Sequence, residues 1–499
     1  MTSPIPKITS LLFILVTLQL SAQQDTLAIK YATTISIADL KDNLTIIASD
    51  ALEGRETGKR GQKMAAAFIA SAFQELGLSG PVNGNYYQPL SLYKTGAPIV
   101  SLQKDGAALS HEEYEYIGTN DTQGMVTVPI VFVGYADERD ANKADVNGKA
   151  VVLLTDENTS LPNGAGVKTL ESRGAKIIFL VINSEDNFFQ RINMARGLSN
   201  DRLSIVQPEL SNKPGRFLVS AKAAEKILGI SFAKIKKAAK EKKAEKIKAS
   251  SISYSVEQKS VQINSENVLG YLEGTDKKEE VLVITAHYDH IGISKNAQAQ
   301  DRINNGADDD GSGTVAVLSL AKAFANAKKE GHGPRRSILF MTVTGEEKGL
   351  LGSLHYTNNP IFPLEKTVVD LNIDMIGRSD RQHKDSAAYV YIIGSDKLST
   401  DLHTLSEATN NTYTKLIFDY TYNDMNHPEQ LYYRSDHWNF AKNNIPIIFY
   451  FDGIHEDYHM PSDEVDKIEF DLLMQRTKTI FHTAWEIANR ESRLVVDKR

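Results

Sequence analysis

The feature that most constrains the fold is a regular alternation of apolar runs and helical patterns in the second half of the chain. Five runs, at residues 281–286, 337–344, 367–373, 388–393 and 445–451, are predominantly apolar. Helical spacing separates them, for example at residues 314–327, and a long helical pattern follows at residues 468–489. Such alternation is typical of a largely parallel sheet that is covered on both faces. The sequence therefore predicts an α/β fold, with a mostly parallel central sheet flanked by helices.

A different texture between residues 119 and 258 predicts a second, β-rich domain inserted into the first. Short strand-like runs occur at residues 126–133, 150–154 and 176–182, and the lysine-rich stretch 234–248 is typical of a solvated helix face. Residues 37–78 have helical spacing and belong with the α/β part. We predict that residues 23–118 and 259–492 form one domain, that residues 119–258 form the insert, and that residues 493–499 are a tail.

Composition excludes several kinds of site and partner. The chain of 499 residues has a formal net charge of -7, which argues against nucleic acid as a partner, since phosphate binding needs a basic surface. It contains no cysteine, which excludes disulfides, a thiol nucleophile and cysteine-based metal sites. A bound metal ion must therefore be held by histidine, aspartate and glutamate.

The first 22 residues have the pattern of a secretory signal peptide. Lys7 precedes an apolar stretch at residues 11–20, and Leu20-Ser-Ala22 offers a cleavage site. The apolar stretch is too short to span a bilayer. We therefore predict a signal peptide at residues 1–22, a secreted or periplasmic location, and no membrane association after cleavage.

Charged side chains follow the predicted strands, where parallel strands of an open sheet bring their carboxyl ends to one edge. Two adjacent carboxylates, Glu346 and Glu347, come directly after the run at residues 337–344. A cation beside one carboxylate, or a shared proton, relieves the repulsion between such neighbours. The pair therefore suggests that one carboxylate binds metal and the other moves protons. The full set at this edge is His287, Asp289, Asp309, Glu346, Glu347, Asp374 and His459.

Nitrogen and oxygen ligands of this kind suit zinc, and also cobalt or manganese. The spacing His287-x-Asp289 further supplies a carboxylate that can orient the imidazole of a metal-binding histidine. The sequence therefore predicts a metal site at the carboxyl edge of the sheet.

These motifs resemble those of the two-zinc exopeptidases, a family that includes secreted bacterial leucyl aminopeptidases, glutamate carboxypeptidase and, more distantly, glutaminyl cyclase. The insert resembles a protease-associated domain, and Asp50-Ala-Leu-Glu-Gly-Arg55 resembles an N-terminal element of the family. The matching motifs follow the family's order and are His287-x-Asp289, Gly306-Ala-Asp-Asp309-Asp-Gly-Ser-Gly313, Gly345-Glu346-Glu347, Asn372-Ile-Asp374, Ser435-Asp-His437 and His459-x-Pro-x-Asp463.

The resemblance implies two zinc ions per chain and a role for each matching residue. Asp309 would bridge both ions, with His287 and Asp374 completing one site and Glu347 and His459 the other. Glu346 would act as general base towards a hydroxide shared by the ions, and Asp289 is predicted as a second catalytic residue. The implied activity is that of an aminopeptidase that hydrolyses N-terminal residues of peptides.

A second zinc motif occurs in the same region. His455-Glu-Asp-Tyr-His459 matches H-E-x-x-H, which binds zinc when it lies on a helix. Gly453 and Pro461 flank the segment closely and leave too little length for such a helix. We therefore predict a loop in which His459 is a ligand and His455 is not.

Several functions stay open at the level of sequence. They are a single-zinc glutaminyl cyclase, a carboxypeptidase or dipeptidase of the same family, and a non-enzymatic binding protein, against which Glu346 argues. Arg434 either meets a substrate carboxylate or forms a surface ion pair. A group of aromatic residues either lines an apolar pocket or packs in the core: Tyr432, Tyr433, Trp438, Tyr450 and Phe451. The preferred substrate side chain and the oligomeric state are not set by these motifs.

Overall fold

The computed structural model of the chain describes residues 24–135, 138–155, 164–199, 203–207, 209–384, 386 and 388–498. The predicted signal peptide lies outside these residues. The strands are β1 (Tyr87–Thr95), β2 (Ile99–Lys104), β3 (Ala107–Ala108), β4 (Tyr114–Ile117), β5 (Val126–Tyr135), β6 (Ala150–Leu154), β7 (Ile177–Ile182), β8 (Leu203–Ser204), β9 (Gly215–Ser220), β10 (Ser251–Glu257), β11 (Ser260–Leu272), β12 (Lys277–His287), β13 (Arg336–Val343), β14 (Thr367–Ile373), β15 (Tyr389–Ile393), β16 (Ile417–Asp419) and β17 (Ile447–Phe451).

The strands form two sheets, and helices that connect the strands in sequence lie on both faces of each sheet. They are α1 (Thr26–Ala32), α2 (Ile37–Ile47), α3 (Arg60–Glu75), α4 (Glu138–Lys143), α5 (Ala165–Ser172), α6 (Glu185–Ser199), α7 (Ala221–Leu228), α8 (Phe232–Lys240), α9 (Gly313–Lys329), α10 (Leu351–Asn358), α11 (Thr400–Tyr413), α12 (His437–Ala441) and α13 (Phe470–Asn489). The helices expected at residues 314–327 and 468–489 are therefore present as α9 and α13.

The larger sheet has nine strands in the order β16-β15-β17-β14-β12-β13-β11-β1-β8. Its central strands β17, β14, β12 and β13 are parallel to one another. Antiparallel pairs occur only to the sides, between β15 and β17 and among β13, β11, β1 and β8. The predicted α/β fold with a mostly parallel central sheet is confirmed.

The central strands are apolar along their whole length because both faces of the sheet are covered. Every residue of β13, β14 and β17 is buried. Along β13, Ile338 and Phe340 pack on the face covered by α9 and α13, whereas Leu339 and Met341 pack on the face covered by α10 and α12. The alternation buries apolar side chains on both faces, which is why the strands read as continuous apolar runs.

The smaller sheet has eight strands in the order β3-β2-β10-β5-β6-β7-β9-β4. Its central strands β5, β6, β7 and β9 are parallel, and helices α7 and α8 pack on one face while α5 and α6 pack on the other. Strands β2, β3 and β4 precede residue 119, so the boundary predicted there falls inside this sheet. Strand pairing therefore favours a start of the predicted insert before β2, and both boundaries stay predictions.

The insert also contacts the larger sheet directly. Ser204 in β8 pairs with Tyr93 in β1, which makes β8 an edge strand of the larger sheet. Leu203 packs with Leu92 and with Leu351 at the start of α10. Through this contact the insert reaches the helix that follows Glu346 and Glu347.

Within the part of the chain that the structure describes, no helix combines the length and the apolarity needed to cross a membrane.

Candidate metal centre

Three carboxylates and two imidazoles meet beyond the carboxyl ends of the central parallel strands. His287 is the last residue of β12, Asp374 directly follows β14, and Glu347 follows β13. His459 lies in the turn after β17, and Asp309 lies in the loop that precedes α9. The structure therefore brings together all five residues predicted as metal ligands, each delivered by a different connection of the same sheet edge.

One oxygen of Asp309 faces a first group of ligand atoms, which we call the first site. Oδ1 of Asp309 lies 3.2 Å from Nε2 of His287, and that nitrogen lies 3.5 Å from Oδ1 of Asp374. The side chains of His287 and Asp309 are almost fully buried. The three ligand atoms thus share a small polar pocket at the floor of the cleft.

The other oxygen of Asp309 faces a second group, which we call the second site. Oδ2 of Asp309 lies 3.0 Å from Nε2 of His459, and the same nitrogen lies 3.2 Å from Oε2 of Glu347. Asp309 therefore has one oxygen in each site.

The arrangement fits divalent cations. The side chains of Asp309, Glu347 and Asp374 are only 4%, 5% and 12% exposed, so bulk water cannot solvate their charges fully. Oε1 of Glu347 is buried without a hydrogen-bond partner among the described residues. Buried carboxylates of this kind need a cation or an ion pair, and a nitrogen–oxygen donor set suits zinc.

The loop that carries Asp309 is held from the C-terminal side of the chain by Asp463. The carboxylate of Asp463 accepts hydrogen bonds from the backbone N–H groups of Asp308 and Asp309, each at 3.1 Å. Gly306 begins this loop with φ of 55°, and a Cβ there would lie 2.2 Å from the carbonyl oxygen of Asp309. A side chain at position 306 would displace the loop, so the glycine is required by the site.

Arg55 holds the same loop from the N-terminal side of the chain. Its guanidinium is fully buried and donates to the carbonyl oxygens of Asn305 and Gly306, at 2.6 and 2.9 Å, and to those of Ile47 and Tyr288. Burial lowers the pKa of Arg55, while the nearby carboxylates, that of Asp309 foremost, favour its charged form. The arginine therefore adds a buried positive charge beneath the carboxylates.

Asp310 lies near the first site, but its carboxylate accepts hydrogen bonds from backbone N–H groups. Its Oδ2 accepts from the N–H of His287 at 3.1 Å, and its Oδ1 accepts from the N–H groups of Gly313 and Met375, at 2.9 and 3.1 Å. Its ligand atom also falls within reach of His287 and Asp374. Because three N–H groups already occupy its oxygens, Asp310 holds the strand ends, and Asp309 is the better candidate for a metal ligand.

The structure corrects the expected contact between Asp289 and His287. Nδ1 of His287 lies 3.0 Å from the backbone carbonyl oxygen of Asp289, not from its carboxylate. The carboxylate instead accepts from the hydroxyl of Thr57 at 2.6 Å and from the backbone N–H of Glu346 at 3.2 Å. The main chain thus orients the imidazole, and the Asp289 side chain supports the turn that carries Glu346.

The two adjacent glutamates have opposite electrostatic environments. Burial raises the pKa of Glu346 well above its usual value, and the carboxylates of Asp374 and Glu347 reinforce this. Burial also acts on Glu347, but contacts with His290 and His459 outweigh it and lower the pKa to about 2. One glutamate is therefore held as an anion among the candidate ligand atoms, while its neighbour has a raised proton affinity.

Hydrogen bonds to side chains outside the two sites orient Asp374. Oδ2 of Asp374 accepts from the hydroxyl of Ser435 at 2.7 Å, and the side-chain amide of Asn372 donates to that hydroxyl at 2.9 Å. With Oδ2 occupied, Oδ1 faces His287. The residues Asn372 and Ser435 belong to motifs whose function the sequence did not specify.

The segment between His455 and His459 is a turn, so the H-E-x-x-H motif is not helical here, as predicted. Nε2 of His455 donates to Oδ2 of Asp308 at 3.1 Å, because its Nδ1 accepts from the backbone N–H of Asp457. His455 therefore contacts Asp308 and not the candidate ligand atoms. His459, by contrast, directs Nε2 towards Asp309, and its ring stacks on Tyr458 at a centroid distance of 3.9 Å.

A small cleft opens over the first site. Of the aromatic residues considered from the sequence, only Phe451 lines it, and Tyr432 and Tyr450 are buried in the core. Arg434 lies at the cleft and pairs with Glu429 at 2.8 Å. The lining residues are His287, Asp309, Glu346, Asp374, Met375, Leu431, Arg434, Phe449, Phe451, Ile454, Tyr458 and His459.

His290 is a residue of the second site that the sequence reading missed. It is fully buried, and its Nδ1 lies 2.8 Å from Oε1 of Glu347 and 3.8 Å from Oδ2 of Asp309. The signal was present in the sequence, since His290 follows Asp289 at the end of β12, where parallel strands deliver functional side chains.

Comparison with known proteins places these residues in a family. Residues 267–484 match peptidase family M28 and include all five of the predicted ligands. Aminopeptidase YwaD of Bacillus subtilis (strain 168) is 24% identical over 456 residues, which cover 89% of this chain and 84% of that protein.

Two further comparisons cover different shares of their proteins. A probable leucine aminopeptidase of Arthroderma otae is 30% identical over 218 residues, 42% of this chain, and the chain spans 55% of that relative's length. The solved structure of an aminopeptidase from Aneurinibacillus sp. strain AM-1 covers 95% of this chain and 98% of its own, with 18% identity and a TM-score of 0.52, which shows the same fold. The match to peptidase family M28 lies in residues 267–484, which hold all five candidate ligands, and the chain is a metallo-exopeptidase.

Proposed function

We propose that the protein is a secreted aminopeptidase that removes N-terminal residues from peptides with two zinc ions. The observation that carries this proposal is the orientation of Asp309, whose two oxygens face two separate groups of ligand atoms at 3.2 and 3.0 Å. A single carboxylate shared in this way is suited to holding two cations side by side. His287 and Asp374 would complete the first site, and Glu347 and His459 the second.

Zinc ions bound here would lower the pKa of a water molecule and polarise the scissile carbonyl group. The chain's own contribution is to place a proton acceptor beside that position. Oε2 of Glu346 lies 4.0 Å from Nε2 of His287, farther than the atoms of Asp309 and Asp374, so Glu346 lines the cleft without being needed as a ligand. Its raised pKa suits a group that takes a proton from water and returns it to the leaving amine.

The polar and apolar walls of the cleft favour an aminopeptidase. Three carboxylates, of Asp309, Glu346 and Asp374, line the cleft. With Asp309 and Asp374 bound to zinc, the carboxylate of Glu346 stays free to interact with a cationic N-terminus. The one arginine of the lining, Arg434, already pairs with a carboxylate at the surface. The apolar part of the lining, formed by Met375, Leu431, Phe449, Phe451 and Ile454, would accept an apolar N-terminal side chain.

Digestion of a defined peptide mixture tests this proposal. The zinc-loaded protein is incubated with peptides that carry either a free or an acetylated N-terminus and either a free or an amidated C-terminus, and the products are identified by mass spectrometry. We expect loss of N-terminal residues, abolished by acetylation and unaffected by amidation. Shortening from the C-terminus, and its loss in Arg434→Gln, would instead show a carboxypeptidase.

Metal content distinguishes the proposal from a cyclase. We expect two zinc ions per chain by elemental analysis after gel filtration, together with hydrolysis of the peptides. One zinc ion per chain and conversion of N-terminal glutamine to a cyclic product would assign the protein to the glutaminyl cyclases.

A further inference from the structure

His290 is the one histidine beside the two sites to which the preceding assignment gives no function. Its side chain is fully buried at the end of β12, next to Glu347, Asp309 and the ring of His459, whose centroid lies 5.7 Å away. Neither ring nitrogen has a hydrogen-bond partner that meets the usual angular requirement among the described residues. A buried imidazole without partners is costly, so its position needs a functional or structural reason.

The two oxygens of Glu347 face different imidazoles. Oε2 lies 3.2 Å from Nε2 of His459 and belongs to the second site. Oε1 lies 2.8 Å from Nδ1 of His290 and is otherwise buried without a partner in the described part of the chain. The distance is that of a hydrogen bond, which the two groups form when the ring N–H is aligned with Oε1.

The surroundings of His290 limit how far the ring can move. A Cβ at Gly306 would lie 2.7 Å from Cδ2 of the imidazole, so the ring packs directly against the backbone of the loop that carries Asp309. The backbone N–H of His290 also donates to the carbonyl oxygen of Arg55 at 3.1 Å. His290 is therefore held between Glu347 and the two segments that support the site.

We propose that His290 is a positioning residue of the second site, which donates its Nδ1–H to Oε1 of Glu347 and so turns Oε2 towards the bound ion. The first site has a different support, since Asp374 is oriented by Ser435. The inference rests on the proposed two-zinc function, and it makes a specific statement about it: the two ions depend on different supporting residues. Loss of His290 should weaken one ion and leave the other unchanged.

Zinc affinity measured by competition with a chromophoric chelator tests the proposal in three variants. In His290→Ala, we expect one of the two zinc ions to bind about 10–100-fold more weakly, which is the usual effect of removing a group that orients a metal ligand. In His290→Asn, the side-chain amide can supply an N–H near the position of Nδ1, and we expect most of the affinity to return. The control is His482→Ala, which removes another buried histidine, one that stacks on Tyr413 away from the site.

X-ray absorption spectroscopy separates positioning from direct ligation. If His290 acts through Glu347, the wild type loaded with two zinc ions contains on average one imidazole per ion, and His290→Ala contains the same number. A higher count in the wild type that falls in His290→Ala would overturn the proposal and make His290 a ligand. Equal weakening of both ions, unchanged affinity in His290→Ala, or no recovery in His290→Asn would also overturn it. If the wild type itself bound fewer than two ions, the proposed function would fail instead.

Discussion

The two sheets of this chain have similar cores and different carboxyl edges. Each has four parallel central strands with helices on both faces. At the edge of the larger sheet the strands end in buried ionisable groups, whereas Thr155, Asn183 and Ser220 stand at the corresponding ends of β6, β7 and β9. These neutral residues bond to nearby backbone, for example Asn183 to the carbonyl oxygen of Thr155 at 2.8 Å and Ser220 to the N–H of Ala223.

This difference between the two carboxyl edges shows that a parallel sheet covered by helices provides a location for a functional site but not its chemistry. In the larger sheet, buried carboxylates at the strand ends are stabilised by Arg55, by backbone N–H groups and, when bound, by cations. In the described part of the smaller sheet, Thr155, Asn183 and Ser220 at the strand ends carry no charge and hydrogen-bond to nearby backbone. The chemistry therefore depends on a few side chains grafted onto a common fold.

Replacing Asp309 with Asn is expected to have the largest effect, because an amide offers only one oxygen and cannot serve both sites. We expect loss of at least one zinc ion and a fall in kcat/KM of about 10³-fold or more, since several kcal/mol of transition-state stabilisation correspond to that factor. Zinc analysis and peptide hydrolysis measure the two effects. Asn183→Ala, at the edge of the smaller sheet, should keep full activity, and a comparable loss there would break the contrast between the sheets.

Glu346→Gln tests the assignment of the proton acceptor. We expect both zinc ions to remain and kcat to fall about 10²–10⁴-fold, which is the usual contribution of a general base. Glu185 offers a matched control, since it follows the end of β7 at the same distance as Glu346 follows the end of β13, but is exposed to solvent. Glu185→Gln should hydrolyse peptides at the wild-type rate. Loss of zinc from Glu346→Gln would show that this residue is a ligand.

Asp289→Ala distinguishes the two ways in which Asp289 can act. Its carboxylate supports the turn of Glu346, whereas its backbone carbonyl, which the substitution retains, orients His287. We expect kcat to fall about 10–100-fold, because a misplaced catalytic group loses reactivity, with zinc affinity nearly unchanged. A marked loss of zinc would mean that the carboxylate orients the imidazole after all.

His455→Ala is expected to have the smallest effect on activity. The substitution leaves Oδ2 of Asp308 without its donor, and we expect a loss of about 1–3 kcal/mol in the free energy of unfolding. Both zinc ions should stay bound. The value of kcat should change less than about threefold, which corresponds to less than about 0.7 kcal/mol in the activation free energy. His459→Ala, measured alongside, should lose zinc; a similar loss in His455→Ala would revive the helical zinc motif.

The fold of the larger sheet could be predicted because its central strands are buried on both faces. Strands β12, β13, β14 and β17 read as continuous apolar runs for that reason, and their ends pointed to the ionisable residues. The strands of the smaller sheet that precede residue 119 gave no apolar run to recognise, because β3 and β4 are short and Leu102 is the one buried residue of β2.

The supporting contacts of the site were the part that the sequence could not provide. The contact of His287 is with a backbone carbonyl, which every residue has, so no side-chain pattern reveals it. Arg55 likewise acts on backbone carbonyls of segments far along the chain, and its motif was recognised without its purpose. The roles of the five ligands stay predictions until zinc is bound and counted.

Arg55 and Asp463, which are far apart in the sequence, both hydrogen-bond to the loop that carries Asp309. These two residues lie more than 400 positions apart in the sequence, so Arg55 is synthesised long before Asp463 and His459. The centre therefore cannot form before the segment that carries Asp463 has been synthesised.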